Sequence, residues 1–383
     1  MLHTSWIEIS RSALENNYRF LKAHLGNDVK MSSVVKGNAY GHGIELFIPL
    51  AEECGQRHFS VFSADEALRV KNVSQLDPTI MIMGMLDNAQ MEWAIENNME
   101  FFVFELDRLE TACKVARQMG KKAKIHLEVE TGMNRTGFEN STLDEALNHL
   151  KDNGDVIQFS GLCTHYAGAE SIANYYRIKK QKIQFTRILK QVAAKELRPK
   201  YLHTACSAAA MRYPTTRMDM SRIGILQYGF FPSQEVFIDY VSRREEKHDP
   251  LKRLISWKSK VMDVKAVKAG EFVGYGTSYL ANNAMNIASI PVGYSHGFSR
   301  SLSNQGRVLI HGKRVSVVGM VNMNMILVDA TDLDGVKKGD EVVIIGKQGD
   351  REITVASFGE FSEQVNYELL TRLPESIPRK IVE

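Results

Sequence analysis

The feature that most limits what this chain can fold into is a long alternation of short apolar runs with amphipathic stretches of helical length. The apolar runs are "MSSVVK" (31–36), "HFSVFS" (58–63), "TIMIMG" (79–84), "EFFVFE" (100–105), "AKIHLEV" (123–129), "FSGLCTH" (159–165), "YLHTAC" (201–206) and "SRIGILQY" (221–228). Between them lie segments such as "ADEALRVKNV", "NAQMEWAIENN", "LDRLETACKVARQMG" and "YYRIKKQKIQFTRILKQVAAKEL". A further helix, "ALENNYRFLKAHL", precedes the first run, with Ser10 or Ser12 as its cap. Strands that alternate with helices predict a parallel sheet, because each crossover must be long enough to return the chain to the same edge. Eight such units in roughly 220 residues predict a closed TIM-type (β/α)8 barrel. An open, doubly wound sheet is the alternative with the same alternation.

The pattern changes near residue 240. "SRREEKHDPLKR" is polar, and beyond it come short alternating segments such as "LISWKSKVMDVKAV", "RVLIHGKRVSVVGMV" and "DEVVIIG", punctuated by "KAGE", "NQGR", "HGKR" and "KKGD". Those features predict a C-terminal all-β domain. The expected division is a cofactor-binding barrel over residues 12–240 and a β domain over 241–383, joined by residues 1–11. Lys+Arg 48 against Asp+Glu 45 leaves a formal charge of +3, which argues against a nucleic-acid or polybasic membrane partner. The four cysteines form no C-x-x-C pair, so neither a metal site nor a disulfide framework is expected. No signal peptide and no membrane span are read, and scattered cysteines fit a cytoplasmic protein.

In a barrel of this class the site lies at the C-terminal ends of the strands. Lys36 ends the first apolar run; Arg135 follows the fifth in "ETGMNRTGF"; His165 ends the sixth; Ser207 follows the seventh; Arg222 and Gly224 lie in the eighth. Each has a plain structural explanation: a solvated lysine, a core histidine, an N-cap serine. Their joint position at one mouth favours chemistry. Connections after strands seven and eight commonly bind phosphate. A phosphate there, with a lysine on the opposite wall, suggests a phosphorylated aldehyde such as pyridoxal phosphate, which reacts with a lysine amine.

The motifs "VVKGNAYGHG", "ETGMNRTGF", "GLCTHYAGAE", "CSAAAM", "SRIGILQYGFFPS", "GEFVGYGTSY", "IPVGYSHGFSR", "VVGMVNMNMILVD" and "QVNYELLTRLPESIPR" occur in this order, and on them the chain resembles the alanine racemases, fold-type III pyridoxal-phosphate enzymes. The resemblance implies a head-to-tail homodimer with shared sites, acting on a small amino acid and supplying D-alanine for peptidoglycan. It implies Lys36 as cofactor anchor and one acid/base, with Tyr275 of the other subunit as the second. It implies Tyr40, Ser207, the backbone of Gly224 and Ile225, and Tyr367 around the phosphate, with Arg222 facing the pyridine nitrogen. Arg135 and the Met323 backbone would hold the substrate carboxylate, and His165 would lie near the ring and support Tyr275. A cationic arginine and a histidine hydrogen bond would help that phenol act as a base.

Glu128 stands where many relatives carry a lysine modified to a carbamate, and it is expected to orient Arg135 directly. His296, Met320, Asn324 and Gln364 also differ from the usual family residues along the substrate corridor. They imply altered entry or breadth, toward serine or larger amino acids, or drift without consequence. A non-catalytic pyridoxal-phosphate-binding protein would lack the β domain with Tyr275 and Tyr367. Against a decarboxylase stand Arg222 and the lack of a glycine-triplet phosphate loop.

Overall fold

The computed structural model describes residues 3–358 and 366–383. Gln364 lies outside the described residues. The chain packs as two compact units, one of residues 13–39 and 47–252, the other of the described residues of 1–12, 40–46 and 253–383.

The first unit is the (β/α)8 barrel that the alternation predicts. After β1 (Ser5–Ser10) its strands are β2 (Lys30–Val34), β3 (His58–Val61), β4 (Thr79–Ile82), β5 (Glu100–Val103), β6 (Ala123–Glu128), β7 (Ile157–Cys163), β8 (Tyr201–His203) and β9 (Met220–Ile223). They pair in parallel in the order β8-β7-β6-β5-β4-β3-β2-β9. A single parallel bridge, Cys206 to Arg222, links the last two strands and nearly closes the ring. β3 and β5 are buried at every residue, as expected where helices cover one face of a strand and the barrel interior the other. The helices are punctuated as their sequences dictate. Asp87 and Gln90 form a reciprocal capping box before Asn88–Glu96, and Gly120 ends Leu106–Met119 at φ 61°.

Most strands stop about two residues short of the apolar runs. One residue, Val35, therefore separates the end of β2 from Lys36. Likewise "SRIGILQY" is not one strand: β9 ends at Ile223, Gly224 turns the chain at φ −100°, ψ −101°, and Ile225–Tyr228 is a 3-10 turn. The reason is hydrogen bonding. Gln227 Nε2 and the Tyr228 hydroxyl both donate to Val34 O, at 2.9 and 3.0 Å, which holds this apolar turn across the end of β2.

In the second unit β1 pairs antiparallel with β10 (Ile255–Lys260) and parallel with the C-terminal β18 (Arg379–Val382). The remaining strands are β11 (Asp263–Val267), β12 (Met285–Ile290), β13 (Arg307–Ile310), β14 (Lys313–Ser316), β15 (Ile326–Asp329), β16 (Glu341–Gln348) and β17 (Arg351–Ile353). They form a sheet of order β14-β13-β16-β10-β1-β18, with β17 on β16, and a smaller sheet β11-β12-β15. In the core of this unit Phe298 meets Trp257 at a tilt and Phe358 edge to face. Segment 40–46 packs here: Arg379 Nε donates to Gly41 O at 3.0 Å, and a Cβ at Gly41 would overlap Leu370 O. Among the described residues no helix is long and apolar enough to cross a membrane.

Candidate active site

Lys36 opens a left-handed turn. Gly37, Asn38, Ala39 and Tyr40 have φ of 63°, 54°, 52° and 51°. L-residues avoid this region, at about 1–2 kcal/mol each for non-glycine types, so the turn needs outside support. Glu66, buried in the first turn of helix Ala64–Val73, provides it. Its carboxylate accepts from the N–H groups of Gly37 (2.6 Å), Asn38 (3.4 Å) and Phe62 (2.9 Å). Arg69 on the same helix donates to Asn38 Oδ1 at 2.8 Å. In the sequence Glu66 reads only as an acid in a helix's first turn, so its anchoring role is invisible there. Glu66→Ala is expected to lose about 1.5–3 kcal/mol, the worth of hydrogen bonds to a charged group, and Glu66→Gln less. Urea unfolding of the cofactor-free protein measures both, and equal stability of all three forms would refute the anchor.

The Lys36 side chain meets solvent at the open mouth, yet enough protein surrounds it to strip much of its hydration. That loss lowers the pKa of its amine; Arg135 and Arg222 lower it further by repulsion, while Glu66 opposes them. His165 is pushed down to about 3, by burial first and then by Arg222, Arg135 and Lys36, and is neutral. Lys36, Arg222 and Arg135 therefore make one positive field around a neutral His165. Arg222 is 6% exposed. Its Nη2 donates to Thr164 O at 2.7 Å and its Nη1 to His203 O at 2.8 Å and to the His203 ring. Among the described residues neither Arg135 nor Arg222 forms an ion pair with a carboxylate, so the field is open to an anion. Opposite, the Ser207 hydroxyl accepts from Gly224 N at 3.0 Å, which leaves its own hydrogen free to donate. Ile225 follows as the first residue of the 3-10 turn.

Glu128 does not orient Arg135. It ends β6, and its carboxylate accepts from the Thr136 hydroxyl at 2.8 Å, while Phe138 N donates to Glu128 O at 2.9 Å. The loop returns to the strand here and brings Thr136, not Arg135, to the carboxylate. Its shape is set by Glu130, whose carboxylate accepts from the N–H groups of Gly132, Met133, Asn134 and Arg135. An acid directly ahead of "TGMN" is a signal for such a nest.

In the second unit Tyr40 and Tyr367 meet edge to face, ring centroids 6.2 Å apart. Tyr275 stands between Gly274 and Gly276, both left-handed at φ 77° and 66°, and is 73% exposed. The Met323 carbonyl accepts from the Ser295 N–H (2.9 Å) and hydroxyl (2.7 Å), and Asn324 Nδ2 donates to the same hydroxyl at 2.8 Å. Gly293 permits this approach, since a Cβ there would lie 2.5 Å from Met323 O. Burial lowers the pKa of His296, which disfavours a charge there. Met320 is half-buried, and nothing in its surroundings explains its departure from the usual residue.

A parallel barrel whose mouth carries a lysine of lowered pKa beside two arginines without carboxylate partners is the arrangement of a barrel enzyme for a small anionic molecule. Residues 9–232 match the family model of the alanine racemase N-terminal domain, and residues 254–381 that of the alanine racemase C-terminal domain. The alanine racemase of Leptospira interrogans serovar copenhageni is 34% identical over 385 residues, covering 100% of this chain and 96% of that protein. Among solved structures, the alanine racemase of Clostridium difficile 630 superposes with a TM-score of 0.91 at 28% identity, over 100% of this chain and 96% of that one. The alanine racemase of Bartonella henselae, solved with covalently bound pyridoxal phosphate, gives 0.84 at 27% identity, over 99% and 100%. The chain belongs to the alanine racemase family, isomerases that depend on pyridoxal phosphate.

Proposed function

We propose that this chain interconverts L- and D-alanine with pyridoxal 5'-phosphate held on Lys36, and that Lys36 and Tyr275 of the partner subunit serve the two faces of the substrate. The observation that carries this reading is the Lys36 amine, whose pKa is lowered where Arg135 and Arg222 leave positive charge unmatched. The donors present fit the cofactor: a lysine shifted toward its nucleophilic form, a serine hydroxyl free to donate, and a buried arginine without a carboxylate. When bound, the cofactor withdraws electrons from the substrate's α-carbon and so acidifies its hydrogen.

The chain's own groups then divide the work. Tyr40, Ser207, Tyr367 and the backbone of Gly224 and Ile225 hold the phosphate. Arg135 and the Met323 N–H hold the substrate carboxylate. Arg222 cannot give up its proton, so at the ring nitrogen it donates a hydrogen bond and leaves that nitrogen unprotonated. This weaker withdrawal favours return of a proton to the α-carbon over loss of CO2. His165, kept neutral, can bond a tyrosine hydroxyl without adding charge. Racemisation takes a proton from one face and delivers one to the other, which a single fixed base cannot do. Lys36 and Tyr275 each own a face. The exposure of Tyr275 supports a homodimer, because a second copy would shield its hydroxyl from water. The product supplies D-alanine for peptidoglycan, made in the cytoplasm.

L-alanine is expected to lose optical rotation without release of CO2; retained rotation with loaded cofactor overturns the reading. A second reading, wider substrate range, is favoured by the uncharged clasp of Ser295, Met323 and Asn324. Racemisation of L-serine or L-lysine at a rate comparable to that of L-alanine would establish it.

A further inference from the structure

Barrel interiors of this class are usually filled by layers of branched apolar side chains. Here Glu100 on β5, His126 on β6, His203 on β8 and Arg222 on β9 are all buried, at 3%, 0%, 0% and 6% exposure, and they form one hydrogen-bonded line. Glu100 Oε2 is 2.8 Å from His126 Nε2, and His126 Nδ1 is 2.7 Å from His203 Nε2. His203 Nδ1 bonds Arg222 Nη1. On its other side Glu100 Oε2 is 3.3 Å from His58 Nε2, while His58 Nδ1 is 2.9 Å from Ser32 Oγ.

The two ends of the line dictate every proton in it. Arginine only donates, so His203 Nδ1 accepts and its proton sits on Nε2. That N–H meets His126 Nδ1, which must accept, so the His126 proton sits on Nε2 and points at the carboxylate. An ionised Glu100 only accepts. An extra proton on either imidazole would set two donors face to face. The environment agrees. Burial, then Arg222, keeps the His203 imidazole well below its ordinary pKa. Burial alone would raise the Glu100 carboxyl, but hydrogen bonds from His126 and His58 outweigh it and hold the group ionised.

The strand between makes room for the line. β7 runs between β6 and β8, and Gly161 pairs with His126 on one side and Tyr201 on the other. A Cβ at Gly161 would overlap His126 Nδ1 and lie 2.8 Å from His203 Nε2. Glycine is needed here for space, and any side chain would sever the line.

We infer that Glu100 and His126 are positioning residues that fix His203 as an acceptor and, through it, hold Arg222 as a donor toward the ring nitrogen of the cofactor. The inference rests on the proposed role of Arg222. Both terminal nitrogens of Arg222 are engaged, by His203 and by Thr164 O, so the guanidinium cannot turn. A carboxylate at the far end polarises the imidazoles and strengthens His203 as acceptor.

The test combines nitrogen NMR of 15N-histidine-labelled holoenzyme with product analysis. In the wild type, His58, His126 and His203 are expected to appear as neutral imidazoles protonated on Nε2. In Glu100→Gln and in Gly161→Ala the His203 pattern should change. Racemisation kcat should fall about 10–100-fold, the range that loss of outer hydrogen-bond partners costs at metal sites. Abortive half-transamination should rise: the amino group passes to the cofactor aldehyde and alanine leaves as pyruvate, with nothing else oxidised or reduced. The readout is pyruvate formed per racemisation event. A wild-type His203 protonated on Nδ1 overturns the inference whether or not the variants fold. So does unchanged pyruvate per event in Glu100→Gln when Arg222→Lys raises it. If neither variant changes it, the role of Arg222 is wrong, and the inference fails with it.

Discussion

Lys36→Ala is expected to lower kcat for alanine racemisation by about 10⁴-fold, the upper end of what one positioned acid/base contributes, because the same side chain also anchors the cofactor. The visible absorbance of the bound cofactor should shift, and gel filtration should strip the cofactor readily. A variant that keeps a tenth of wild-type activity would exclude Lys36 from both roles. The amine's environment adds a pH signature. Lost hydration first, then Arg135, lowers the Lys36 pKa, and Glu66 opposes them. At any given pH the neutral fraction therefore exceeds that of a free lysine, which titrates near about 10.4. Recapture of cofactor by the cofactor-free enzyme requires the neutral amine, so its rate should climb at lower pH than for a free lysine. Removing the Glu66 carboxylate lowers the Lys36 pKa further and should move that climb lower still. A recapture profile centred at the free-lysine value would contradict the shared positive field.

Tyr275→Phe is expected to lower racemisation in both directions by about 10²–10⁴-fold, with cofactor binding intact. The substitution removes one oxygen from a side chain that is 73% exposed, so the fold should tolerate it. The decisive readout is exchange of the α-hydrogen in D2O. With Lys36 still serving its face, one enantiomer of alanine should keep exchanging while the other stops. Equal loss of exchange for both enantiomers would mean that the two groups do not divide the faces. Wild-type racemisation by Tyr275→Phe would remove Tyr275 from the chemistry altogether.

Much of the architecture was legible because periodicity reports burial. "EFFVFE" and "HFSVFS" are largely apolar without alternation, which suits strands covered on both faces, and β5 and β3 lie within them. The β9 boundary was misread for the same reason. "GILQY" is as apolar as a strand, but Gln227 and Tyr228 turn back to Val34 O, and hydrophobicity carries no record of that bond. In the candidate site, Lys36, Ser207 and Arg222 stood out as polar residues at strand ends. The Glu128–Arg135 pairing failed because a separation of seven residues says nothing about how the intervening loop returns to its strand. The Glu130 nest decides that, and brings Thr136 to Glu128.

The sequence by itself determined the order of strands and helices, the positions of the lysine, serine and arginines at the strand ends, and the likeness to alanine racemases. These follow from local pattern and motif order, which a linear chain can display. Only the tertiary structure decided the left-handed sense of Gly37–Tyr40, its support by Glu66, and the line from Glu100 to Arg222 past Gly161. Each depends on φ sign or on hydrogen bonds between strands far apart along the chain. Parallel pairing of β5, β6, β7 and β8 brings Glu100, His126 and His203 within hydrogen-bond reach, and the near-closure of the ring brings Arg222 to His203.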